Sequence, residues 1–264
     1  MMTAATTITC QIDPRGVATV TLARPDKHNA IDAAMIRDLR AAAEDLSTNE
    51  SVRVVVLTGQ GPTFCAGGDL RWMQDQMAKD RAGRIAEATE FALVLRGLDD
   101  LPKPLIGRVQ GPAYGGGVGL MCVCDVVVAV DTAKFALTET RLGLIPATVG
   151  PYVVRRLGEG ASRQVFFNGK PFGAGRAREL GLVSRVAGAA GLDPAVEEEI
   201  AACLHCAPGA VAEAKALCKS LARQSNEDAL AMTIGRLADR WESAEAKVGL
   251  DTFFARTPAP WLTK

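Results

Sequence analysis

The chain has 264 residues, with 30 Lys plus Arg against 30 Asp plus Glu, 48% apolar residues and 26 glycines, but only two histidines. Zero formal charge and a pI near 6.7 argue against a nucleic-acid binder driven by counterion release, whose surface is strongly basic. A fold of this length buries about 70 to 75% of the surface its extended chain exposes, so it needs neither disulfides nor a structural metal.

Seven cysteines, an odd number, run from Cys10 to Cys218, which fits free thiols in a reducing cytoplasm. The opening MMTAATTITC has neither the basic nor the apolar region of a secretory leader. The most apolar stretch, Leu120 to Val130, contains Asp125 and falls short of the ~18 residues expected of a membrane span. The expectation is one substantial α/β domain in the cytoplasm, with no membrane and no nucleic-acid partner.

In chain order, Ile8 to Ile12 and Val17 to Leu22 predict two strands around the turn Asp13-Pro14-Arg15-Gly16. Asp32 can cap a helix whose apolar residues Ile36, Leu39, Ala43 and Leu46 recur at three and four. Val54 to Leu57 is continuously apolar, as in a sheet covered on both faces. A helix follows through Ile85, Ala88, Ala92, Leu95 and Leu98, then strands at Leu105 to Val109 and Val126 to Val130, separated by a glycine-led helix. Past residue 148 helices dominate, at about 148 to 157, 161 to 169, 174 to 180 and 194 to 255, with a short strand at Leu182 to Val186.

Three segments carry chemistry. In Phe64-Cys65-Ala66-Gly67-Gly68-Asp69-Leu70, small residues leave backbone N–H groups unshielded, which suits either a tight turn or an oxygen ligand. Gly111-Pro112-Ala113-Tyr114-Gly115-Gly116-Gly117-Val118-Gly119 puts glycines at a helix N-terminus, where free donors face a developing anion or simply permit close packing. It is no dinucleotide fingerprint, because the glycine required at 122 is Cys122. In the third segment, Glu139 is the only acid between Asp131 and Gly158. Burial among its apolar neighbours would raise its pKa toward that of a general acid or base; a salt bridge to Arg141 or a solvent-facing carboxylate is the alternative.

Other residues are read as structural. Asp69 would fix its loop through backbone N–H groups, Asp125 would cap an element end, and Cys65 would be a buried thiol. Cys203-Leu204-His205-Cys206 has metal-like residues but no second pair, so no metal is assigned. There is no G-x-S-x-G for serine chemistry.

Taken together, FCAGGDL, GPAYGGGVGL followed by Cys124-Asp125, and FALTETRLGLIP resemble, in order and spacing, the crotonase family of enoyl-CoA hydratases and isomerases. Arg24 to Ala30 and Gly249 to Trp261 extend the likeness over nearly the whole chain. The resemblance implies an α/β spiral of repeated β-β-α units over residues 1–194 and a C-terminal helical region, 195–264, that supports a homotrimer or dimer of trimers. It implies that the backbone N–H groups of Gly68 and Gly116 hold the thioester oxygen while Glu139 moves protons. Lys27, His28, Ala30, Ala66, Asp69, Leu70 and Gly119 would then bind the acyl-CoA, with CoA part of the substrate and no separate cofactor.

One position departs from the family's two-glutamate hydratases, where a carboxylate stands at the place of Gly119. Hydration with Glu139 acting alone is the leading expectation; double-bond isomerisation by the same residue and non-catalytic acyl-CoA binding are the alternatives. Segments 69 to 73 and 143 to 153 further resemble bacterial methylglutaconyl-CoA and carboxygeranoyl-type hydratases of leucine and acyclic-terpene breakdown. On that likeness Gly119 makes room for a branched or carboxylated acyl group, which Arg71 or Arg141 would pair.

Overall fold

The computed structural model describes residues 7–222 and 226–262, of which 226–231 by backbone alone. Residues 1–6, which carry most of the stretch read for a leader, and 223–225, within the stretch read as helical, lie outside the described residues.

β1 (Ile8–Ile12) and β2 (Val17–Leu22) form an antiparallel hairpin, its turn closed by Asp13, whose carboxylate accepts from the N–H groups of Arg15 and Val17. A one-turn 3-10 helix, Pro25–Lys27, leads to α1 (Ala33–Thr48), capped as expected by Asp32, which accepts from the Met35 N–H at 2.8 Å. Then come β3 (Val54–Gly59), buried along its whole length, α2 (Leu70–Ala78), α3 (Arg81–Asp99), β4 (Leu105–Val109), β5 (Ala113–Tyr114), α4 (Gly116–Cys122), β6 (Val126–Val130) and β7 (Lys134–Ala136). A second 3-10 turn, Glu139–Leu142, precedes α5 (Gly150–Leu157), α6 (Glu159–Phe166), β8 (Phe172–Gly173), α7 (Ala174–Glu179) and β9 (Arg185–Ala187). Helices α8 (Leu192–Leu204), α9 (Pro208–Leu221), α10 (Asn226–Glu242) and α11 (Ala244–Ala255) end the chain.

The main sheet has the order β1-β2-β3-β4-β6-β9, parallel from β2 onward. Parallel strands need crossover connections, and the helices that supply them bury both faces, which is why β3, β4 and β6 are nearly continuous runs of Val, Leu and Ile. A smaller sheet, β5-β7-β8, stands apart from it. It decides where the chemistry sits.

Three expectations need correction. The strand read at Leu182 to Val186 lies at Arg185–Ala187: Gly181 turns the chain at φ +82°, and the N–H groups of Leu182 and Val183 both bond the Ala177 carbonyl, closing α7 instead of starting a ladder. Helix α2 was not expected, because LRWMQDQMA buries no residue and carries no clear apolar period. A boundary at 194/195 cuts α8, whose Leu192, Ala195, Val196, Ile200 and Leu204 join the core against the sheet. The change of character comes after Leu204: α9 and α11 bury no residue. Helix α9 is tethered by charge instead, Lys219 to the buried Asp99 and Lys215 to Asp125 at 2.7 Å.

Candidate active site

The small sheet brings together segments far apart in sequence. Parallel pairing of β5 with β7 aligns Tyr114 with Ala136, and the Gly115 N–H donates to the Ala136 carbonyl at 3.0 Å. Both strands therefore end side by side, one running into the glycine turn and the other into Thr138 and Glu139, at the carboxyl ends of parallel strands where α/β folds bind ligands. Gly115 adopts φ +48°, and a Cβ there would fall 3.2 Å from Glu139 Oε1, so a side chain would be both strained and crowded against the carboxylate.

The first loop joins them through backbone. Cys65 bridges Ala113, and Ile31 bridges Gly68: the Ile31 N–H donates to the Gly67 carbonyl at 2.7 Å and the Asp69 N–H to the Ile31 carbonyl at 2.8 Å. The Gly68 N–H lies between these bonds and has no acceptor among the described residues. Gly116 opens α4, so its N–H lacks an intrahelical acceptor and finds no other among them.

Gly68, Gly116 and Glu139 line one chamber of about 330 Å³, walled mostly by apolar side chains such as Phe91, Leu144 and Val149, with Thr138 and Thr148 also in the wall. Glu139 is half-buried there, its Oε2 has no hydrogen-bond partner among the described residues, and no ion pair to Arg141 forms. Burial raises its pKa above the ordinary glutamate range, with its own backbone N–H opposing weakly. Among the described residues it is the only ionisable one in the chamber wall.

The chamber adjoins a groove of about 960 Å³, the two sharing Ala66, Gly68, Leu70 and Trp72 as walls. Lys27, His28, Ala30, Ala66, Asp69 and Leu70 all line the groove. Asp69 caps α2, accepting from the N–H groups of Arg71 at 2.9 Å and Trp72 at 3.4 Å. Burial alone would raise its pKa, but these N–H groups and Arg24 outweigh it and hold the carboxyl below its usual range.

Gly119 does not line the chamber. A Cβ at residue 119 would lie 2.3 Å from Val149 Cγ1, so the volume expected to be open for an acyl branch is filled by Val149, which is 3% exposed and forms part of the chamber wall. The two arginines proposed to pair an acyl carboxylate are also elsewhere. Arg71 is exposed on the outer groove, and Arg141 lies against Gly169 and donates to the Asn168 carbonyl.

The remaining polar candidates are structural. Asp125 accepts from the Leu105 N–H at 2.7 Å, fixing the start of β4. Cys65 is fully buried, which pushes its thiol up to about 12 and leaves it protonated at neutral pH. Cys203, His205 and Cys206 sit at the end of α8, and no group of three or more metal-ligating residues occurs among the described residues.

Two residues were missed as organisers. Arg24 donates to the Ala30 carbonyl and pairs with Asp32 at 3.0 Å and Asp69 at 3.1 Å, so one guanidinium ties together the caps of α1 and α2. Asn29, with φ +54° and no exposure, bonds the Gln60 and Thr63 carbonyls and the Arg24 N–H. Asn among turn residues is the sequence signal for such left-handed backbone.

The sequence profile described as Enoyl-CoA hydratase/isomerase matches residues 13–264. The chain belongs to that family. An enoyl-CoA hydratase of Alternaria alternata is 37% identical over 229 residues, covering 83% of this chain and 72% of its own length. Among solved structures, an enoyl-CoA hydratase from Shewanella pealeana superposes with a TM-score of 0.93 at 37% identity, covering 97% of this chain and 96% of its own. Pseudomonas aeruginosa AtuE superposes with a TM-score of 0.93 at 33% identity, over 97% of this chain and 100% of its own. The α/β architecture is thus the crotonase fold, and the chain is an enzyme of the enoyl-CoA hydratase or isomerase kind.

Proposed function

We propose that this enzyme adds water across the double bond of a 2-enoyl-CoA whose acyl chain is uncharged. The observation that carries the reading is the meeting, in one apolar chamber, of two unpartnered backbone N–H groups and one half-buried carboxylate. Glu139 takes a proton from water as the water oxygen bonds C3. The C2=C3 electron pair moves toward the thioester, whose oxygen becomes an enolate held by the Gly68 and Gly116 N–H groups. The enolate then collapses, C2 takes the proton back from Glu139, and the carbonyl reforms, so the net change is addition of one water. Each preorganised donor is worth about 3 to 4 kcal/mol of barrier, because it needs no rearrangement as charge develops.

CoA enters as part of the substrate, lying along the groove beside Lys27, His28, Ala30, Ala66, Asp69 and Leu70, and no separate cofactor takes part. The wall supports an uncharged acyl chain: among the described residues no cation lines the chamber, and a carboxylate buried there would lack an ionic partner. A 3-methylglutaconyl-type acyl group would need both a cation and the room that Val149 occupies. Seven free cysteines, three of them buried, support a reducing compartment such as the cytoplasm.

One observation favours a second reading. Because Val149 fills the space beside Gly119, Glu139 works without a second carboxylate, and one carboxylate suffices to move a proton from C2 to C4 of a 3-enoyl-CoA. Turnover of crotonyl-CoA, 3-methylglutaconyl-CoA and a 3-enoyl-CoA separates the readings. Loss of enoyl absorbance on crotonyl-CoA is expected; a gain from the 3-enoyl compound alone selects isomerisation, and preference for the glutaconyl thioester overturns the uncharged chain.

A further inference from the structure

Trp72 stands at the junction of groove and chamber. It lines both, and of the other shared residues Ala66 and Gly68 are small while Leu70 is 78% exposed. A Cβ at Gly68 would lie 3.6 Å from Trp72 Cζ3, so the indole packs directly beside one oxyanion donor. Its Nε1–H donates to Oε2 of Glu87, on α3, at 3.2 Å. Glu87 is also ion-paired to Lys79, which, with the Trp72 N–H and against burial, keeps it ionised below the usual glutamate range. Glu87 itself lines neither space.

The same helix reaches the second donor. Phe91, four residues beyond Glu87 and so on the same face, is buried, and its Cζ would lie 3.3 Å from a Cβ at Gly116. Helix α3 thus buttresses Gly116 directly and Gly68 through a hydrogen-bonded indole. An indole has a single polar handle, and a charged acceptor on that handle selects one ring orientation from the rotamers that α2 permits.

We propose that Glu87 is a positioning residue: by accepting the Trp72 indole N–H it fixes the ring where the thioester passes from groove to chamber, beside Gly68. The role rests on the acyl-CoA reading above. Removing the acceptor frees the ring, so the thioester carbonyl meets its donors in a smaller fraction of bound complexes.

The test is a double-mutant cycle on crotonyl-CoA turnover with Glu87→Leu, which removes the acceptor, and Trp72→Phe, which keeps an aromatic ring but removes the donor. Glu87→Gln serves as rescue, since its amide oxygen still accepts. Each of the first two is expected to lower kcat/KM about tenfold, the scale of one hydrogen bond to a charged group. The double variant should be no worse than either, and Glu87→Gln should stay within about threefold of wild type by the same reckoning. In a Trp241→Phe, Trp261→Phe background, where Trp72 is the one tryptophan left, Glu87→Leu should shift its emission and Glu87→Gln should not. Multiplying losses in the double variant, wild-type kinetics in Trp72→Phe, failure of the rescue, or unmoved emission overturns the proposal. If wild type itself turns over no enoyl-CoA, the functional reading fails instead, and the emission still decides whether Glu87 holds the ring.

Discussion

At Glu139 the burial that raises the pKa also sets the pH response. The reaction needs the carboxylate as base in its first step, so kcat/KM must rise with pH through the pKa of the free enzyme. That acidic limb should have its midpoint above the value of about 4.3 of a free glutamate. A limb at or below that value, measured with a substrate that does not titrate there, contradicts the desolvated site. At Gly119 the prediction is steric. Gly119→Ala drives a methyl into Val149 and should cost about 1 to 3 kcal/mol in denaturant unfolding. Val149→Ala should recover part of that loss, whereas an unchanged midpoint in Gly119→Ala would mean the wall gives way freely. These two residues also divide what the sequence could tell. The burial of Glu139 was one of the readings its sequence left open, because it stood as the lone acid among apolar residues; the place of Val149 was not readable, because nothing in its local sequence says which glycine it will cover.

At the scale of elements, the loops owe their position to helix caps and to two-residue strand pairings. Asp69 joins the α2 cap to Arg24 and thus to the cap of α1. Asp69→Ala should lower stability by about 0.5 to 2 kcal/mol, as loss of a cap does, and should raise KM because α2 borders the groove. The sign of its pH dependence follows from its lowered pKa. The stabilisation is present above the unfolded value of about 3.9 and is lost as pH falls through the folded value below it. The wild-type advantage over Asp69→Ala should therefore shrink only in acid; a constant difference down to pH 2, a pH of about two units below the free value, would contradict it. The long buried strands and α1 were readable because their period and capping residue agree with their burial. Two-residue β5 and β8 were not, since a pairing that short leaves no pattern, and α2 was not, since it reaches the core through little more than Trp72 and fully buries no residue.

For the whole molecule, the C-terminal helices carry much of the exposed apolar surface. Leu237, Trp241, Phe253 and Phe254 are each more than half exposed, and no residue of α9 or α11 is fully buried. Exposed apolar side chains favour association, and we propose that the C-terminal helices carry the surface of the homotrimer, or dimer of trimers, that the family resemblance implies. Light scattering coupled to size exclusion should return three or six times the 27.8 kDa chain mass, with Phe253→Asp plus Phe254→Asp shifting it toward the monomer. A wild-type monomer would refute the assembly. No helix among the described residues is long and apolar enough to cross a membrane. The family was legible from three ordered motifs; the C-terminal helices as an assembly region came from the resemblance alone, because amphipathic helices look alike whether their apolar stripe faces their own core or a partner.

The central claim is that one carboxylate carries all the proton movement, and Glu139→Gln tests it most directly. The amide keeps shape and hydrogen-bonding capacity but cannot accept the proton, so kcat on the best enoyl-CoA should fall by about 10² to 10⁴-fold while KM changes little. Turnover within about tenfold of wild type, well short of what loss of a general acid–base group costs, would contradict it.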